Sequence, residues 1–201
     1  MERRGAGGYH QCVSRFALLR RCLIVVLSAI AFDGLPAHGQ GASAHIPAVR
    51  ATSFSNEQVS LPEGLRGKVG VLVLGFSQGS RESTTAWGKR LAAEYRDSST
   101  VTYYEMPVLE AVPKMIRGFV INQIKSSVSE RERPRFVVVL ENERAWQAVV
   151  HYKEPDDAYV LVVDEQGAVR WQAHGTATDA AYGAMKQQVE ALAAGMGHAG
   201  R

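Results

Sequence analysis

The sequence predicts an α/β domain built on a mixed β-sheet with flanking helices and a C-terminal β-hairpin, and three observations carry that expectation. Residues 68–76 and 158–164 are aliphatic on both faces, the pattern of strands buried from two sides. Segments of helical period alternate with strand-like runs, which implies parallel pairing between successive strands. The link Glu165-Gln166-Gly167 then joins two strand-like runs through a glycine free to take positive φ, as an antiparallel edge hairpin requires.

Taken in order, residues 40–60 are rich in Gly, Ala, Ser and Pro and sustain no period, so residues 45–63 are expected as a flexible arm. A turn-bearing lead-in at 61–67 precedes the first strand. A polar loop at 77–83 follows that strand, and Thr84 or Thr85 can cap a helix in which Trp87, Leu91 and Tyr95 recur at i, i+4 and i+8. Residues 101–106 form the second strand. Pro113 can take the first position of a helix to about Val128, with Val112, Ile116, Phe119, Val120 and Ile124 as its buried face. Residues 135–140 read as a strand, and 141–150 as a short helix or turn around Trp146. After the hairpin strands at 158–164 and 168–173, a last helix starts near Thr178 and buries Ala181, Met185, Val189 and Leu192. The folded domain is expected over 64–194, with a frayed tail at 195–201.

The first 44 residues are of another kind. Arg3, Arg4, Arg15, Arg20 and Arg21 lead into an apolar run of 11 residues, 22–32, followed by small residues. A helix needs about 20 apolar residues to cross a bilayer, so the layout fits a secretory signal peptide over 1–44. Cleavage can follow Gly39 or Ala44. The alternative is an uncleaved membrane anchor extended back through residues 16–19, which would place Arg20 and Arg21 inside the span. A lipid-attached form is disfavoured because Arg21, not a small residue, precedes Cys22.

This segment also decides the charge argument. Residues 1–39 hold five of the 23 Lys and Arg and two of the 20 Asp and Glu, which leaves eighteen of each. The basic balance therefore belongs to the targeting peptide and gives no case for nucleic acid. Arg131, Arg133 and Arg135 are the nearest approach to a basic patch and read as a solvated helix end. Both cysteines, Cys12 and Cys22, lie in the same segment, so the exported domain would contain none. Thiol–disulfide exchange is excluded with them.

Gly75-Phe76-Ser77-Gln78-Gly79 matches the G-x-S-x-G nucleophile elbow after a strand, and Asp156 or Asp157 and then His174 supply the remaining triad types in order. The context argues against a hydrolase: the elbow sits on the first strand, and Ser-Arg-Glu-Ser follows Gly79 where an immediate helix is expected. A Gly-flanked turn is the simpler reading. No Gly-Lys-Ser/Thr phosphate loop and no G-x-G-x-x-G after a strand occurs. A metal site would need His151 and His174 to converge with a carboxylate, so no metal or cofactor is expected. Trp87, Trp146 and Trp171 read as packing residues, and Glu105 and Glu110 are too isolated to form an acid/base pair.

The element order, the strand at 69–76 running into a Trp-bearing helix, the 159–171 hairpin and the Gly175-led final helix resemble the thioredoxin-like superfamily, in its peroxiredoxin-like, or redoxin-like, layout. Within it, Ser77, Trp87, Tyr159, Val160, Leu161, Val162, Val163, Asp164, Val169, Arg170, Trp171, Gly175 and Ala177 resemble the mitochondrial ATP synthase assembly factor ATP10 and its bacterial relatives. The resemblance spans about 64–194 and implies a three-layer thioredoxin-like fold. Where redox members carry their cysteines, this chain has Ser77 to Ser83, and where thioredoxins carry a cis-proline before the later strand it has Asp157-Ala158. The expectation is a non-catalytic envelope protein, in the periplasm or at the outer face of the inner membrane, that binds another envelope or membrane protein. The alternatives are a serine hydrolase using Ser77, His174 and Asp156 or Asp157, and a small-ligand-binding envelope domain.

Overall fold

A computed structural model describes residues 44–199, and side chains as far as Met196. The expected signal segment, its cleavage sites and both cysteines lie outside the described residues. Ten regular elements follow in chain order: β1 (Val49–Thr52), β2 (Gln58–Leu61), β3 (Val69–Gly75), α1 (Arg81–Tyr95), β4 (Val101–Pro107), α2 (Lys114–Ser127), α3 (Glu143–Val149), β5 (Ala158–Val163), β6 (Val169–His174) and α4 (Asp179–Ala199).

The central sheet has the order β4-β3-β5-β6. β3 pairs parallel with β4 and antiparallel with β5, and β5 pairs antiparallel with β6, so the sheet is mixed and ends in the expected hairpin. Gly167 turns that hairpin at φ 83°, and the Asp164 carboxylate accepts hydrogen bonds from the backbone N–H groups of Gln166 and Ala168. Alternation along β3 assigns its two faces. Val69, Val71 and Val73 pack with Val160 and Val162 under Trp87, Leu91 and Tyr95 of α1 and Tyr182, Met185 and Val189 of α4. Leu72 and Leu74 look the other way, into a second core with Leu61, Leu65, Val137, Val139, Trp146 and Leu161. This is a three-layer α/β arrangement.

That second core corrects the flexible arm. Residues 45–63 form the β1–β2 hairpin, with Val49 opposite Leu61 and Ala51 opposite Val59. Ile46, Val49, Phe54, Val59 and Leu61 are buried, and Phe54 stacks on Phe136 at 5.7 Å. Two four-residue strands hold too few positions to establish a period, yet each supplies apolar side chains to one face.

The expected strand at 135–140 is present as interrupted pairing. A short 3₁₀ turn occupies Arg133–Arg135, after which Phe136 and Val139 bridge Glu105 and Val108 in parallel. The Val137 and Val139 N–H groups donate to the carbonyls of Glu105 and Pro107, and Leu109 N–H donates to Val139. Continuity of that ladder asks residue 107 to donate to Val137, and a proline has no N–H to give.

Two helix expectations also change. α1 starts at Arg81, three residues before the expected cap, and the Thr84 hydroxyl donates to Arg81 C=O instead. α2 occupies the expected span, with Pro113 flanking it, but none of its residues is buried. The core on the Leu72 and Leu74 side of the sheet is filled by the β1–β2 hairpin and Trp146 and takes in no residue of α2.

Candidate functional site

The C-terminal end of β3 delivers the loop Ser77-Gln78-Gly79-Ser80 to the start of α1. Ser77 Oγ donates to Asp156 Oδ1 at 2.7 Å and accepts from Ser80 N–H at 3.2 Å. Ser80 Oγ donates to Ser77 C=O at 2.8 Å, and Ser80 is buried. Asp156 reaches this loop across Gly79. A Cβ built on Gly79 would stand 2.2 Å from Asp156 Oδ1, so the bare glycine is what admits the carboxylate.

The adjacent Asp157 turns to another partner, with His174 Nδ1 lying 2.5 Å from Asp157 Oδ2. The His174 ring, at the end of β6, stacks on Tyr159 at 5.7 Å. Tyr159 Oη accepts from the N–H groups of Lys153 and Glu154 and donates to Glu154 C=O, which fixes the loop that carries both aspartates. Trp87 Nε1 donates to Gly175 C=O at 3.0 Å and ties α1 to the turn after β6.

The structure thus brings Ser77, Asp156, Asp157 and His174 to one end of the sheet, but as two separate pairs. A serine–histidine–aspartate relay needs the imidazole between hydroxyl and carboxylate. Here each aspartate takes one partner, and no hydrogen bond joins Ser77 to His174. The triad wiring expected of a hydrolase is not formed. One objection to the elbow is itself corrected, because α1 does begin immediately after Ser80.

Among the described residues no three His, Cys, Asp or Glu side chains converge to hold a metal ion. Trp87 and Trp146 are fully buried, as expected of packing residues. Arg133 pairs with Glu130, while Arg135 donates to Thr102 Oγ1 and the Arg96 carbonyl and lies over the Tyr103 ring. The Arg135 guanidinium is therefore held by the fold, whereas Arg133 reaches only the exposed Glu130 at 3.4 Å. Glu110 and Glu143 exchange contacts with the backbone N–H groups of Glu143 and Ala111, which fastens the start of α3 to the turn after β4.

Glu105 was missed as anything but an isolated acid. It is 7% exposed beneath α1, and a Cβ on Gly88 would lie 2.2 Å from its carboxyl. Burial, with the Glu132 charge in support, pushes that carboxyl up to about 8. The readable signal is its place in the Val101, Tyr103, Glu105 alternation, opposite the one glycine on the inner face of α1.

The sheet order, the hairpin and the loop at the start of α1 define a thioredoxin-like protein, and the spacing of Ser77 and Ser80 is that of a C-x-x-C dithiol with hydroxyls in place of thiols. The chain belongs to the ATP10 protein family, whose sequence model matches residues 37–192. No curated protein gives a significant match. Solved structures share the fold at low identity. BsSco, a member of the Sco family of cytochrome c oxidase assembly proteins, is 14% identical with a TM-score of 0.52, over 76% of this chain and 95% of its own. The thioredoxin domain of a thiol-disulfide oxidoreductase from Bacteroides vulgatus is 16% identical with a TM-score of 0.50, over 73% and 96%. The exposed lipoprotein thioredoxin of Streptococcus pneumoniae is 10% identical with a TM-score of 0.51, over 70% and 99%.

Proposed function

We propose that this protein is a non-catalytic thioredoxin-like module that binds another envelope or membrane protein during assembly of a larger complex. The observation that carries the reading is the Ser77–Ser80 loop. It occupies the dithiol position, yet both hydroxyls are committed to Asp156 and to the loop's own backbone. A serine hydroxyl is not ionised at neutral pH and cannot cycle to a disulfide, so the loop offers shape and hydrogen-bonding groups without redox chemistry.

An open recess of about 580 Å³ lies against this loop, lined by Gln78, Gly79, Arg81, Glu82, Thr85 and Lys89, and it is the surface on which a partner segment would sit. Family membership and the assembly role named for BsSco support the assembly reading. The signal-like residues 1–44 support export to the periplasm or the outer face of the inner membrane, with the N-terminal segment as the membrane contact if it is retained. Nucleic acid and cofactors have no part in this reading.

The test pairs turnover with capture. Purified protein should reduce neither disulfides nor peroxides and should not react with a fluorophosphonate probe. A photo-crosslinker replacing Glu82 should join one membrane or envelope protein in intact cells. Robust turnover, or labelling at Ser77, would overturn the proposal.

A further inference from the structure

Among the described α-helices α2 alone buries no residue, and it turns Met115, Ile116 and Phe119 outward at 97%, 51% and 71% exposure. These three lie at i, i+1 and i+4, on one side of the first two turns. The same helix carries Lys114, Arg117 and Lys125, and no acidic residue occurs anywhere between Glu110 and Glu130. Arg117 is pinned, its guanidinium donating to the carbonyls of Glu110 and Val112, which holds the helix entry in place. Lys114 and Lys125 stand eleven residues apart on one side of the helix, an exposed Lys114 at the start of the apolar patch and a half-exposed Lys125 six residues beyond it.

Charge decides what covers this face. A second copy would set three cations against three cations beside the patch, so self-association through α2 is opposed. An anionic bilayer surface complements both features: its headgroups attract the lysines while the acyl boundary takes the apolar side chains. We propose that α2 is a membrane-surface helix, seating Met115, Ile116 and Phe119 at the headgroup–acyl boundary of an anionic bilayer with Lys114 and Lys125 facing lipid phosphates. Each cation near such a surface raises partitioning about fivefold, so the two lysines give roughly 25-fold preference over a zwitterionic surface.

Hydrogen exchange of the full chain on nanodiscs reads α2 separately from whatever residues 1–43 do. On discs of three parts phosphatidylcholine to one part phosphatidylglycerol, amides of 118–125 should slow by about tenfold relative to pure phosphatidylcholine discs. Raising the salt should remove the difference. The M115S/I116S/F119S and K114E/K125E variants should each lose the protection with an unchanged melting temperature, since the substituted side chains lie outside the core. Equal exchange on both discs overturns the proposal, as does equal protection on both. Protection that appears only when the discs also hold an integral membrane protein overturns it too and assigns the face to a protein partner.

Discussion

Helices α1 and α2 have nearly the same length, 15 and 14 residues, and each follows a parallel strand of the same sheet, yet their fates differ. α1 buries Trp87, Gly88, Leu91, Ala92 and Tyr95. α2 buries nothing, although its sequence is the more apolar of the two. Periodicity reports which residues could face a core, and the space left by other elements decides whether they do. In this fold the β1–β2 hairpin and Trp146 fill the core on one side of the sheet, and α2 contributes nothing to it. An apolar stripe displaced in this way becomes a surface.

The sharpest way to break this comparison is to truncate one aromatic on each helix. Trp87→Ala removes a fully buried indole and should lower unfolding free energy by about 3–5 kcal/mol. Phe119→Ala should stay within about 0.5 kcal/mol of the wild type. Denaturant midpoints with unchanged slopes would check both. A loss above about 2 kcal/mol at Phe119 would show that α2 is packed against the body after all.

The next effect concerns the acid beneath α1. The Glu105 carboxyl is raised to about 8 in the fold from an ordinary 4.5, chiefly by burial. Below pH 4.5 both folded and unfolded chains hold the proton and nothing is lost. Between about 4.5 and 8 the unfolded chain ionises first, so stability falls as pH rises, and it levels off above 8. Glu105→Gln removes that fall and should stabilise the protein by about 3 kcal/mol at pH 7, with little change at pH 4. Chemical denaturation across pH would show the two curves converging in acid; parallel curves would refute the buried neutral acid.

A smaller effect tests the fixed end of the sheet. Gly79→Ala drives a methyl toward Asp156 and should cost about 1–2 kcal/mol. In the Asp156→Ala background the same change should cost much less, a coupling visible in a double-mutant cycle. Additive costs would mean that the glycine serves the turn and not the carboxylate.

Much of the fold was legible because it rests on long signals. Strands β3 and β5 are aliphatic at nearly every position, and helices α1 and α4 carry apolar stripes over about two and three turns. The hairpin β1–β2 was not legible, since four-residue strands among Gly, Ala and Ser leave no period to detect. Pro107 was visible, but its effect on pairing depends on which neighbour needs its N–H, and that is a property of the sheet. At the candidate site, the sequence named Ser77, Asp156, Asp157 and His174, and all four do gather at one end. Their wiring was beyond it. Which of two adjacent aspartates meets the serine follows from the turn fixed by Tyr159 and from the gap at Gly79.

The most direct test of the central claim, that this scaffold holds the dithiol position without redox competence, is to supply the thiols. In the S77C/S80C variant, the thiol at position 77 would stand where Ser77 Oγ now lies 2.7 Å from Asp156. A carboxylate there disfavours the thiolate and raises its pKa, opposite to what a reactive cysteine needs. Insulin reduction by S77C/S80C should be a small fraction of the rate of a thioredoxin, and adding Asp156→Asn should increase it. Near-thioredoxin rates with Asp156 in place would show an oxidoreductase lacking only its sulfur, and would contradict the account.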